Sequence, residues 1–137
     1  MNANTITEDY VSFNTAKLLA EKGFNVVTEK SYILDNTGLC AVKVGLLVNS
    51  RPDEKHEIAA PTLQMARKWL RGLNCIIGID FDKYESAENE KTVVGFGFTV
   101  QRKEHPEEFA YIHNEVYDTN EEAEEAAILY CLNTLIK

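Results

Sequence analysis

Cysteine, histidine and proline occur only three times each in this 137-residue chain, and tryptophan once. Each scarcity removes a class of chemistry. His56, His105 and His113 stand in separate contexts, with no two at metal-ligand spacing and no HExxH, so a histidine-held zinc centre is not expected. Cys40, Cys75 and Cys131 are odd in number, dispersed and set among apolar neighbours. They form neither a disulfide framework nor a CxxC metal or redox motif, and they read as buried, reduced thiols. No GxxxxGK[ST] is present, which excludes a P-loop NTPase, and no GxSxG is present, so the nucleophile elbow is missing. GFGF at 95–98 lacks the third glycine of a dinucleotide fingerprint and continues as a strand where that fingerprint needs a helix.

Positive charge is also short: 14 basic residues against 22 acidic, a net charge of −8. That balance disfavours nucleic acid and anionic membrane as partners. No apolar run approaches a membrane span. The opening MNANTITEDYV has neither a basic start nor an apolar segment, so a secretory signal is not expected, and the setting reads as cytoplasmic. Hydrophobic residues make up 45% of the chain, enough for a folded domain with a core.

What is present is patterned for packing. In APTLQMARKWLRGLNCIIGIDFD, residues 60–82, a helix feeds directly into a strand. Thr62 or Ala60 caps it, and Pro61 suits a first-turn position. Leu63, Ala66, Trp69, Leu70 and Leu73 make an apolar stripe with a basic shoulder of Arg67, Lys68 and Arg71. Gly72 weakens the last turn and Asn74 ends the helix. The period then changes to two, with Cys75, Ile77, Ile79 and Phe81 on one face.

Residues 1–10 read as a frayed polar end, ahead of a single domain over 11–137. Ser12 caps a helix over 12–22, Val11 and Ala16 form a small staple, and Gly23 stops the helix with Phe24 folded back. A strand-like run over 24–34, turn chemistry at Asp35-Asn36-Thr37-Gly38 and alternation over Cys40–Val48 predict a hairpin. Residues 49–59 read as a charged loop. A polar hairpin loop over 82–91 separates the strand after the central helix from TVVGFGFTVQRK, whose small face of Val93, Gly95, Gly97 and Thr99 implies close approach of a helix or a twisted, curved sheet. EHPEE is a turn and Phe109–Tyr117 the last strand. Thr119 and Glu122 form a capping box, and Glu121, Glu122, Glu124 and Glu125 crowd the start of a final helix that Lys137 ends. The expected fold is α+β, of order αββαβββα: one antiparallel sheet of about five strands with three helices, chiefly on one face.

From residue 61 onward the order αβββα is that of the double-stranded-RNA-binding domain. RNA binding there needs cations at the start of the last helix, where this chain holds four glutamates, so the order is read as topology alone. DFDKYESAENEK departs from a calcium loop at Tyr84, Glu85 and Lys91, leaving at most loose cation contact by Asp80, Asp82 and Glu85.

Three stretches, SFNTAKLLAEKGF, APTLQMARKWLRGLN and DTNEEAEEAAILYCLNTLIK, together resemble a group of small proteins encoded by phages and prophages of gut Bacteroides-type bacteria. That group shows a Ser/Thr-capped helix ending KGF, an A-P-T-Q…KWLRE segment and a closing Y-E-E-A-x-E-A helix. This chain departs from it at Leu63, which separates Thr62 from Gln64, at Gly72 in place of glutamate, and at Asn120 in place of an aromatic. The resemblance implies a phage or mobile-element origin and a cytoplasmic setting in a bacterial host. It implies no activity and carries over no functional residue.

Function is therefore expected to be binding. Tyr111, His113 and Tyr117 fall on one face of the last strand and could line a surface for a protein or small ligand. Arg67 and Arg71 either pair with the glutamates of the last helix or meet an acidic partner. No cofactor or metal is implied, and a homo-oligomer is compatible with the sequence. Two alternatives stand beside this reading: a small hydrolase-like enzyme using His113 with a carboxylate, and an acidic mimic of nucleic acid.

Overall fold

A computed structural model describes residues 9–34, 40–47, 57–85, 92–104, 111–112 and 116–136. The chain is α+β, and it falls into two compact units, 1–66 and 67–137.

In the first unit, α1 (Phe13–Glu21) starts where the expected cap stands: the Ser12 hydroxyl accepts from the Thr15 N–H. Its end is a complete Schellman closure. Gly23 N–H donates to the Ala20 carbonyl at 3.1 Å and Phe24 N–H to the Leu19 carbonyl at 2.9 Å. Gly23 sits at φ 102, where a β-carbon is strained, and the Phe24 ring is buried. Because Phe24 is used to close the helix, pairing begins only at β1 (Thr28–Leu34), later than the predicted run, and Val26 and Val27 are left exposed. β1 pairs antiparallel with β2 (Cys40–Leu47), the expected hairpin, with Leu34 opposite Cys40. A register irregularity between Thr28 and Lys30 is bridged by the Thr28 hydroxyl, which donates to the Lys30 carbonyl at 2.7 Å.

The stretch read as a loop over 49–59 ends in a strand instead. β3 (Glu57–Ala60) pairs with the other edge of β1, giving the order β2-β1-β3. Four residues, two of them alanine, are too short and too poor in β-branched side chains to show alternation. Burial of Ile58, Ala59 and Ala60 places the strand. The polar N-terminal stretch is held at its end: Tyr10 bridges to Thr62, and the Leu63 N–H donates to the Asp9 carbonyl. Lys30 Nζ lies 4.2 Å from the centroid of the Tyr10 ring.

α2 (Leu63–Gly72) is capped by Thr62, whose hydroxyl accepts from the Met65 N–H at 3.1 Å; Pro61 precedes the cap rather than opening the first turn. The chain passes from the first unit to the second within this helix. Leu63, Ala66 and Leu70 are buried, whereas Leu73 lies beyond the last helical turn and is exposed. Asn74 ends the helix at φ 71, as its position implied.

In the second unit, β4 (Cys75–Glu85), β5 (Thr92–Arg102) and β6 (Tyr111–Ile112) form an antiparallel meander, followed by α3 (Asn120–Tyr130). Thr119 caps α3 by accepting from the Glu122 N–H at 3.1 Å. The helix does not run to the end of the chain: residues Cys131–Leu135 form a π-helical turn closed by Ile136 N–H on the Cys131 carbonyl. Of the predicted last strand, Tyr111–Ile112 and an isolated bridge from Tyr117 to Phe96 are seen, and 113–115 lie outside the described residues.

The single sheet of about five strands is thus replaced by two sheets of three. Both units run helix and then three antiparallel strands, but β1 is central in one and β5 in the other.

Candidate functional site

The β4–β5 ribbon sets the geometry. Eleven register pairs run from Cys75↔Arg102 to Glu85↔Thr92. Alternation places Cys75, Ile77, Ile79 and Phe81 on one face with Arg102, Val100, Phe98 and Phe96 opposite them. The first half of that face is core: Cys75, Ile77, Phe98 and Val100 are buried, and Phe98 lies 6.3 Å from the Tyr130 ring of α3 and 6.4 Å from Tyr117. Ala123, Ala127 and Ile128 of α3 are buried in the same unit.

Further along the same face Ile79 and Phe96 are half-buried. Phe81 is 63% exposed and Val94 51%, and Phe81 packs on Phe96 at 4.9 Å between centroids. Two hydrophobic side chains this exposed, one of them stacked on Phe96, form a local apolar surface on the ribbon. The alternation predicted which face these residues share. It did not predict where α3 stops covering it.

The opposite face holds the small residues. A β-carbon at Gly78 would come within 2.8 Å of Thr99 Oγ1. One at Gly95 would collide with the Val116 side chain and lie 2.9 Å from the Tyr117 carbonyl. The close approach expected there is made by the returning segment 116–117, not by a helix. Asp80 and Asp82, weighed above as cation contacts, lie in regular strand opposite Gly97 and Gly95 rather than in a loop. Among the described residues no group of three His, Cys, Asp or Glu could hold a metal.

Of the candidate residues, the backbone positions of Arg67, Arg71, Tyr111 and Tyr117 are described. Arg67 is placed by α2 so that its guanidinium donates to the Glu124 carboxylate at 3.2 Å and to the Ile77 carbonyl at 2.8 Å, with the two side chains 25% and 15% exposed. It joins three elements of its own unit. Arg71 is exposed near the end of α2. Tyr117 is half-buried against Phe98, and Tyr111 pairs with Val100 through the backbone. His113 lies outside the described residues, so the grouping of Tyr111, His113 and Tyr117 has only its two tyrosine positions placed.

A second cluster was not foreseen. Cys75, the first residue of β4, and Cys131, at the junction of α3 and the π-helical turn, are both buried, neither is in a disulfide, and each is the chief influence on the other's ionisation. The contact with Cys131 lowers the Cys75 thiol from 9.0 to about 7; burial opposes this, and the Arg102 charge adds to it. The same contact, with burial, pushes the Cys131 thiol up. Cys75 Sγ also lies 3.8 Å from the Leu73 carbonyl. The sequence carried no signal for this pair, because 55 residues lie between its members and neither belongs to a motif.

No protein family, no curated protein and no solved structure matches the chain. Among the described residues no helix is long and apolar enough to cross a membrane.

Proposed function

We propose that the chain is a small non-enzymatic binding protein, of the phage or mobile-element kind its helices resemble. It works in the cytoplasm of a bacterial host, where a protein partner docks on the β4–β5 ribbon at Phe81 and Val94. One observation carries this reading: Phe81 and Val94 stand exposed beside Phe96 on the face that α3 closes only part-way. Burying two such side chains in a partner contributes about 1.5–3 kcal/mol each, enough to anchor an interface around an aromatic pair. The experiment is retention of a host protein by immobilised wild-type chain and by F81D/V94D, with circular dichroism confirming that both fold. Specific retention by the wild type and its loss in the variant supports the reading. Equal retention by both, or none by either, refutes it.

The two alternatives gain no support. The hydrolase-like enzyme depends on His113, outside the described residues.

A further inference from the structure

We propose that the outer edge of β4 takes up an additional strand: an extended segment of a partner protein that pairs with the backbone of Ile79 and Phe81 and alternates apolar with basic side chains. The added strand deepens the docking reading, on which it rests, by giving the partner's conformation and charge. Among the described strands β4 has one neighbour, β5, so its other side is an edge. The direction of its backbone groups follows from the far side of β5. Phe96 and Tyr117 exchange both backbone hydrogen bonds, at 2.9 and 2.8 Å, so the N–H and C=O of Phe96 point away from β4. Phe81 stands opposite Phe96, so the two are a non-hydrogen-bonded pair and the N–H and C=O of Phe81 point away from β5. The period of two gives Ile77 and Ile79 the same outward direction. Ile77 bears this out, because its carbonyl accepts from the Arg67 guanidinium at 2.8 Å. Arg67 thus closes the edge at Ile77. Beyond it, the N–H and C=O groups of Ile79 and Phe81 have no hydrogen-bond partner among the described residues. Such a row of outward donors and acceptors is a template for a further strand.

The side chains along the edge define the occupant. On one face Phe81 is 63% exposed. On the other Asp80 is exposed, and position 82, the next of the same parity, is also aspartate. A strand laid here meets an aromatic ring on one face and negative charge on the other. Its complement carries apolar residues opposite Ile79 and Phe81, alternating with lysine or arginine opposite Asp80. The same residues oppose a second copy of the chain. Antiparallel self-pairing centred on Asp80 sets that residue against itself. Centred on Phe81 it sets position 80 against position 82, again aspartate against aspartate. Centred on Ile79 it brings Phe81 onto Ile77, whose carbonyl Arg67 already holds.

The test follows amide exchange in the full chain by NMR. In the free protein Gly78 and Asp80, bonded to β5, are protected, while Ile79 and Phe81 exchange quickly. Protection of Ile79 and Phe81 in the free chain shows the edge to be covered and overturns the proposal. The probe is a soluble peptide alternating lysine with valine. It is expected to slow exchange at Ile79 and Phe81 and to leave Gly78 and Asp80 as they were. N-methylation of its valines, whose N–H groups face the edge, abolishes binding, and a glutamate–valine peptide of equal length does not bind. D80K/D82K, shown to be folded by circular dichroism, reverses the preference, weakening the lysine peptide several-fold and admitting the glutamate peptide. Failure of the lysine–valine peptide to bind at millimolar concentration overturns the proposal, as does equal binding of the N-methylated or the glutamate form. The docking reading fails separately, by equal retention of host protein on wild type and F81D/V94D. Retention lost in that variant, with Ile79 and Phe81 still exchanging quickly in the wild-type complex, keeps the docking surface and removes the added strand.

Discussion

Replacing Gly95 by alanine is the sharpest test of the second unit. The added carbon would collide with Val116 and lie 2.9 Å from the carbonyl oxygen of Tyr117. That oxygen is not free to retreat. It accepts from the Phe96 N–H at 2.9 Å, while the Tyr117 N–H donates to the Phe96 carbonyl at 2.8 Å. Moving the segment far enough to admit a methyl group loosens both bonds, at about 1 kcal/mol each. Crowding the Val116 side chain costs a further 1–3 kcal/mol, roughly. The reduced freedom of the unfolded alanine chain returns about 0.4–1 kcal/mol. The net expectation is a loss of about 2–4 kcal/mol, read as a lower urea midpoint at unchanged slope. G95A/V116A removes the side-chain half of the collision and leaves the carbonyl half. The double variant should therefore recover about 1 kcal/mol relative to the sum of the single changes. A G95A midpoint within about 0.5 kcal/mol of wild type, or strictly additive changes, would show that 116–117 does not cross Gly95 as described.

Two further outcomes follow from the same unit. Under reducing conditions the thiol pair makes stability depend on pH. Cys75 is held near 7 against 9.0 unfolded, so its contribution is present above about pH 9 and is lost as pH falls through about 7, a rise across that window of at most about 2–3 kcal/mol. The raised Cys131 thiol acts in the opposite sense, so stability falls again above about pH 9, where the unfolded thiol ionises and the folded one does not. Urea titrations across this range should show the maximum, and Cys75→Ser should remove the rise; an unchanged profile in that variant contradicts the assignment. Arg67→Ala breaks the contact to Glu124 and the bond to the Ile77 carbonyl together, with an expected loss of about 1–3 kcal/mol. Lysine, lacking the planar fork, restores only part of it, and full recovery by Arg67→Lys would argue against the two-ended contact.

What could be read directly from the chain is what local chemistry decides. Ser12, Thr62 and Thr119 cap their helices because a hydroxyl three residues before an N–H needs no help from distant residues. Gly23 and Asn74 end theirs because positive φ is a property of single residues. The β4–β5 ribbon was legible in its alternation.

Tertiary structure decided the rest. Nothing in Glu57–Ala60 marks a strand until β1 offers it an edge. The division into two three-stranded sheets depends on which edges meet, and periodicity is silent on that. Phe98 is buried against Tyr130 of α3 while Phe81 on the same face is exposed, a matter of where a helix lies rather than of what the strand spells. Cys75 and Cys131 read singly as inert core thiols. Each shifts the other's ionisation across 55 intervening residues, and influence over that separation is set by packing, which no local pattern encodes.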